Sequence, residues 1–260
     1  MTTADWNPEA YQRFRGLRLR PALELLAQVR DLPEGPVVDM GCGAGAVAEA
    51  LSTRYPERDL YGVDSSATML AEAEATGFYD RLTRDDANDW TPGYAPALIF
   101  SNALANWLPD HGRLFARWFD ALAPGGALAV QMPRQYDEPS HRLLRDLAED
   151  MFPDRFDFAG WVPPVAPPTV YADMLARLGD VRAWETTYVQ DLAPVAEGHP
   201  VRHFTQSTVM RPFVAEMSEV EAARYVAAYE TLLAKHYPAR EGGHVHFPFR
   251  RVFFVLTRRA

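Results

Sequence analysis

Between residues 36 and 132 short apolar runs alternate with longer stretches of helical character, and few folds accept that rhythm. It is the pattern of right-handed strand-helix-strand units stacked into a parallel sheet with helices on both faces. The runs place strands at Pro36–Met40, Asp59–Asp64, Arg81–Asp85, Ala97–Asn102 and Ala127–Met132. Helices fit Arg20–Val29, the alanine-rich Ala44–Tyr55 stopped by Pro56, and Gly112–Leu122 closed by Pro124-Gly125-Gly126. Beyond Met132 the rhythm changes. A helix at Ser140–Met151 gives way to Trp161–Pro168, whose four prolines forbid a regular element. Val170–Leu178, Arg182–Asp191, Glu219–His236 and Val252–Thr257 then read as helix, strand, helix and strand. The last two strands need no parallel crossover, which predicts an antiparallel edge. The expected fold is a doubly wound, mostly parallel, seven-stranded α/β sheet with a small helical or loop cap.

The chain of 260 residues, 48% hydrophobic, can bury one sizeable core, so a single domain is expected. Its net charge of -9 argues against a nucleic-acid partner, because counterion release from phosphates requires a basic surface. One cysteine makes no internal disulfide. No apolar run approaches the ~20 residues that span a bilayer. The opening Met1–Pro8 lacks the basic flank and apolar stretch of a secretory signal. A soluble cytoplasmic protein without a membrane partner, monomer or dimer, is expected, acting on a small molecule.

The chemistry centres on Val37-Val38-Asp39-Met40-Gly41-Cys42-Gly43-Ala44-Gly45-Ala46, a strand that runs into a glycine loop and then a helix. Glycines at Gly41 and Gly43 let backbone approach a ligand closely. The spacing alone fits the dinucleotide pattern as well as a methyltransferase loop, and both use an acid after the second strand, here Asp64, for ribose hydroxyls. Asp39 separates them. A carboxylate two residues before the loop repels a pyrophosphate and suits a cation such as the methionyl ammonium of S-adenosylmethionine; the bland reading is that it caps the turn. Cys42 reads as a small loop residue, since no base adjoins it. Asp64-Ser65 with Met69, and Asp86-Ala87 after strand three, are candidates for the ribose, the adenine face and the adenine edge; Asp85 reads as readily as a helix cap.

Longer segments carry a more specific likeness: Asp5-Trp6-Asn7-Pro8 with Tyr11 and Phe14, Arg20-Pro21-Ala22, Trp107-Leu108-Pro109-Asp110-His111, Leu128–Pro133, Glu138-Pro139 with His141, and Thr186-Thr187-Tyr188. In these the chain resembles the trans-aconitate methyltransferases, the branch of the Rossmann-like class I methyltransferases that O-methylates small carboxylic acids. The resemblance implies S-adenosylmethionine as donor and S-adenosylhomocysteine as product. It also implies an N-terminal lid over residues 1–30 carrying Tyr11 and Arg20, a donor-binding core at 35–133, a cap with acceptor-side elements at 134–250, and a final strand at 251–258. Asn102 would lie near the transferred methyl and Trp107 would wall the pocket. Trp6, Tyr11 and Phe14 also have the spacing of an ordinary apolar helix stripe. Three departures stand out: Trp161–Pro168 has no counterpart in the family pattern, Ala97 stands where methyltransferases commonly carry an aspartate at the start of strand four, and His244-Val245-His246 replaces apolar or amide residues.

Methyl transfer to a carboxylate needs alignment rather than a general base, because a carboxylate with a pKa near ~4 is already ionised. A polyanionic acceptor needs cations, preferably arginines. Five of the seven histidines follow residue 198, alongside Arg202, Arg211, Arg250 and Arg251. That clustering and the family resemblance together make Arg20, Arg211 and Arg251 the candidates for acceptor charge, with Tyr188 as hydrogen-bond donor. His244 and His246 have a metal-ligand spacing but no evident third ligand, so no metal is expected. The alternatives are a natural-product or acyl-carrier acceptor, a nicotinamide-dependent oxidoreductase, and a non-catalytic donor-binding module.

Overall fold

A computed structural model describes residues 15–259. In chain order the elements are α1 (Arg15–Ala27), β1 (Val37–Met40), α2 (Ala48–Arg54), β2 (Leu60–Asp64), α3 (Ala67–Glu74), β3 (Arg81–Arg84), β4 (Leu98–Asn102), a 3-10 turn (Ala105–Trp107), α4 (His111–Ala121), β5 (Ala127–Pro133), α5 (Pro139–Met151), α6 (Pro168–Leu175), β6 (Asp180–Leu192), α7 (Pro200–Gln206), α8 (Arg211–Val214), α9 (Glu219–His236), a second 3-10 turn (Glu241–Gly243) and β7 (Val245–Thr257). One seven-stranded sheet has the order β3-β2-β1-β4-β5-β7-β6. The pairs within β3-β2-β1-β4-β5 are parallel, and β7 runs antiparallel to β5 with Gln131 opposite Phe253. This is the doubly wound architecture expected, with the antiparallel strand one place in from the edge. No helix among the described residues is long and apolar enough to cross a membrane.

The described residues divide into two compact units, one of 15–133, 164–186 and 251–259, the other of 134–163 and 187–250. The first holds β1–β5 and most of the helices that cover them. Its central strands are buried along nearly their whole length, as apolar parallel strands covered on both faces must be. Phe115, Trp118, Tyr171 and Phe254 fill the core beside β5 and β7. The indole of Trp118 is satisfied by the carbonyl of Ala87 at 2.9 Å.

In the second unit α9 presents Tyr225, Tyr229 and Leu233 at four-residue spacing, and this stripe with Tyr237 is buried against Leu143, Leu144 and Phe247. The hydroxyls of Tyr225 and Tyr229 donate to the carbonyls of Leu144 and Ser140 at 2.6 and 2.7 Å, and that of Tyr237 accepts from the Ser140 amide. Each aromatic thus buries its polar tip with a partner. Ser218 and Glu221 close a capping box that starts α9.

Several boundaries differ from the sequence expectation for physical reasons. The helix expected from Ala44 begins at Ala48, because Gly45 sits at φ +77°, outside the helical region. The last strand starts at Val245 rather than Val252. Val245, Phe247 and Phe249 alternate inward, and the buried Gln135 amide donates to the Pro248 carbonyl and accepts from the Arg250 amide, so the strand continues through a proline. The short helices α7 and α8, each with proline in the first turn, lie where no element was expected.

Candidate active site

The order β2-β1-β4 reverses the direction of winding at β1 and β4, so a crevice opens beyond the carboxyl ends of these strands. Asp39, the third residue of β1, is 1% exposed, and its Oδ2 accepts from the Tyr79 hydroxyl at 2.6 Å. Burial pushes its carboxyl up to about 7, with the neighbouring Asp64 charge adding and the Tyr79 hydroxyl opposing. The same surroundings raise the phenol of Tyr79 and the thiol of Cys42. Among the described residues no cationic side chain pairs with this buried acid. Nothing in the sequence around Phe78-Tyr79-Asp80 announces this tyrosine, which reaches Asp39 from a loop forty positions later. The indirect trace is Gly62, where a Cβ would come within 3.0 Å of both the Tyr79 ring and Cys42 Sγ and closer still to Leu82.

Asp64, at the end of β2, fastens the glycine loop. One carboxylate oxygen accepts from the Gly43 amide and the other from the Ser66 amide, both at 2.9 Å. Each oxygen keeps a second lone pair for a ligand hydroxyl. Ser66 caps α3 by accepting from the Met69 amide, which sets Met69 half-buried on the first turn. After β3, Asp85 accepts from the Asp86 amide, and the exposed Asp86 accepts from the Asn88 amide at 2.8 Å in an Asx turn. Gly41, Asp64, Ser65, Asp86, Ala87, Leu104 and Leu108 are among the residues lining one cavity of about 50 Å³. Five of these were expected at the donor site. The two leucines were not, and Leu104 packs so closely on Gly41 that any side chain there would strike it.

Leu104 belongs to the turn that follows β4. Asn102 ends the strand half-buried and accepts through Oδ1 from Gln131 Nε2. Ala103 is held in the left-handed region at φ +60°, a strained state for a residue with a Cβ, and its amide donates to the Gln131 carbonyl. The buried Asn106 amide bridges the Ala103 carbonyl and Trp107 Nε1, each at 3.0 Å, and leaves the Trp107 ring 55% exposed. His111 locks the far end of the turn, with Nε2 on the Ala105 carbonyl and Nδ1 on the Tyr171 hydroxyl at 2.8 and 2.7 Å; its burial lowers the imidazole pKa. The Trp107–His111 segment is thus a scaffold for the turn.

Of the residues expected to hold the acceptor, Arg251 is 3% exposed on β7 and donates to Gln131 Oε1 at 3.1 Å. Arg20 lies on the exposed side of α1 and pairs with Glu24 at 2.8 Å. Tyr188 on β6 is buried and Arg211 on α8 is half-buried, and both belong to the unit that contains α9. Tyr11 falls outside the described residues. His244 meets Asp191 at 3.1 Å while His246 meets Arg240 at 2.6 Å, so the two imidazoles have separate partners. Among the described residues no three histidine, cysteine or acidic side chains gather as metal ligands. A hollow of about 390 Å³ at Pro56–Leu60, Gly77, Phe78 and Asp80 lies at the opposite, amino-terminal ends of β2 and β3. Its one arginine, Arg58, already donates to the carbonyls of Leu32, Pro33 and Gly35.

Comparison with known proteins agrees with this geometry. The model of a methyltransferase domain family matches residues 11–179. Trans-aconitate 2-methyltransferase of Rhizobium meliloti is 40% identical over 98% of this chain and 99% of its own length. The proteins of that name from Streptomyces avermitilis and Deinococcus radiodurans are 40% and 38% identical, covering 98% and 97% of this chain and 98% of their own lengths. The fold is shared with the YcgJ protein of Bacillus subtilis, at TM-score 0.57 and 15% identity over 93% of this chain and 99% of that one. A phosphoethanolamine N-methyltransferase of Haemonchus contortus has the same fold at TM-score 0.52 and 16% identity, covering 93% of this chain and 53% of that one. By identity along nearly the whole length, the chain belongs to the trans-aconitate 2-methyltransferase family of methyltransferases.

Proposed function

We propose that the chain transfers the methyl group of S-adenosylmethionine to one carboxylate of a small, trans-aconitate-like polycarboxylic acid, forming a methyl ester and S-adenosylhomocysteine. The observation that carries this reading is the Asp39 carboxyl at the end of β1, buried beside the Tyr79 hydroxyl and raised to about 7 by its burial, with no cationic partner among the described residues. The donor's methionyl ammonium is a cation that suits this carboxyl, whereas a dinucleotide pyrophosphate in the same place meets repulsion from Asp39. Gly41 and Gly43 allow close backbone approach there, which fits the group. When bound, the donor supplies a sulfonium-activated methyl.

The chain's own residues then bind and align. Asp39 takes the ammonium and Asp64 with Ser65 the ribose, while Met69 covers the adenine face and Asp86 with Ala87 reads its edge. Cys42 keeps the loop small. Asn102 and Trp107 line the methyl-transfer end, with Tyr11 and Arg20 over the methionine portion. Arg251, Arg211 and Tyr188 receive the acceptor's negative charge. No general base is assigned, because the acceptor arrives ionised and alignment alone is worth about 7–11 kcal/mol. The reading extends to a cytoplasmic enzyme, monomer or dimer, with neither nucleic acid nor membrane as partner.

The test is an acceptor screen over carboxylic acids, trans-aconitate included, read as mass gain of one methyl group, with parallel calorimetric titration of S-adenosylhomocysteine and NAD. Ester formation with micromolar or tighter homocysteine-adduct binding is expected. Binding of NAD alone, or methylation only of a non-carboxylate, overturns the proposal.

A further inference from the structure

Gln131 is wholly buried on β5, opposite Asn102 in the parallel register and diagonal to Arg251 across the antiparallel one. An amide placed there is costly unless both ends find partners. Both do, and the order in which they do has a direction. A guanidinium only donates, so Arg251 Nη1 at 3.1 Å requires the Gln131 oxygen on its side. The Gln131 nitrogen is thereby turned to β4, where it donates to Asn102 Oδ1. The Asn102 oxygen is thus used, and among the described residues nothing takes up its NH2 group.

We infer that Gln131 is a positioning residue that transmits the donor polarity of Arg251 to Asn102, locking the Asn102 amide so that it offers hydrogens, not lone pairs, beyond the carboxyl end of β4. The inference rests on the proposed function, in which that end faces the acceptor. A carboxylate has only lone pairs to offer, so its oxygen is accepted by this face, whereas a protonated amine meets hydrogens on both sides. The relay therefore selects an anionic acceptor at the reacting end without placing a full positive charge next to the donor.

Gln131→Glu tests it with little change in shape. A glutamate accepts from Arg251 and must also be met by a donor on the β4 side, so Asn102 turns its NH2 inward and presents its oxygen to the acceptor. Loss of a hydrogen bond to a charged group predicts a rise of about 10- to 100-fold in the trans-aconitate KM. The S-adenosylhomocysteine Kd, measured by calorimetry, stays within about twofold, a split that general loosening of the fold does not produce. A second measurement needs no variant at Gln131. In 15N spectra of the wild-type protein with S-adenosylhomocysteine, the Asn102 side-chain NH2 signal, assigned by its loss in Asn102→Asp, shifts downfield when trans-aconitate is added.

An unchanged KM in Gln131→Glu, or an Asn102 NH2 signal unmoved by a bound acceptor, overturns the inference while leaving the functional reading intact. If the wild-type protein methylates no carboxylic acid, the functional reading falls and the inference falls with it.

Discussion

Asp39→Asn is expected to make the ligand-free protein more stable while disabling it. The wild-type carboxyl moves from an ordinary 3.8 to about 7 on folding because it is buried, so the native state keeps a proton that the unfolded chain releases. Stability therefore falls as pH rises from about 4 to about 7, and the full cost is present above pH 7. At about 1.4 kcal/mol per pKa unit this amounts to about 4 kcal/mol at pH 8 and about 2 kcal/mol at pH 5.5. Asparagine carries no charge, and its oxygen can still accept from Tyr79. The variant should thus exceed wild type by up to about 4 kcal/mol at pH 8, with the gap roughly halved at pH 5.5. Urea denaturation at both pH values, followed by tryptophan fluorescence, measures the gap, and calorimetry should show S-adenosylhomocysteine binding weakened at least 100-fold. A variant less stable than wild type at pH 8, or a gap that does not shrink on acidification, refutes the argument that Asp39 is buried in need of a cation.

Three other outcomes follow from the same neighbourhood. Tyr79→Phe removes the hydroxyl that holds the Asp39 pKa down, so donor affinity at pH 7 should drop about tenfold and recover by pH 8.5, whereas a uniform loss would point to altered packing. Cys42, 5% exposed with its thiol raised by burial and by the Asp39 and Asp64 charges, should resist iodoacetamide at pH 8 in buffer and react promptly in urea. Gly62→Ala puts a methyl group against Leu82, Cys42 and the Tyr79 ring, and should cost about 1–3 kcal/mol by urea titration and weaken donor binding as the tyrosine is displaced.

The parallel half of the fold was legible because each buried strand is a mostly apolar run bounded by glycine, proline or acid. Val37–Met40 and Leu98–Asn102 satisfy that rule within a residue of the expected bounds. Asp39 and Asp64 were legible because a charge inside such a run has to be explained by a ligand or a partner. What escaped was everything set by contacts across long separations. Tyr79 joins Asp39 from a loop with no periodicity, and Leu104 meets Gly41 only because Ala103 takes a left-handed turn. Gln131 reads as one polar residue in an apolar strand until Asn102 and Arg251 are seen on either side of it. The helices α7 and α8, seven and four residues long, are too short for a period to show.

The position of β7 inside the sheet sets a timetable for the chain as it leaves the ribosome. β6 is synthesised some fifty residues earlier, yet in the finished sheet it lies beyond β7, whose other side is taken by β5. Until Val245–Thr257 emerges, β5 has an open margin and β6 has no β7 to pair with, and two unpaired strand edges coexist on one nascent molecule. The parallel strands can assemble before β7 is made, but closure of the sheet waits for it. A ribosome stalled near residue 245 would hold a chain with an assembled donor loop and an exposed, aggregation-prone flank, which makes the arrival of β7 the step at which folding of this enzyme is committed.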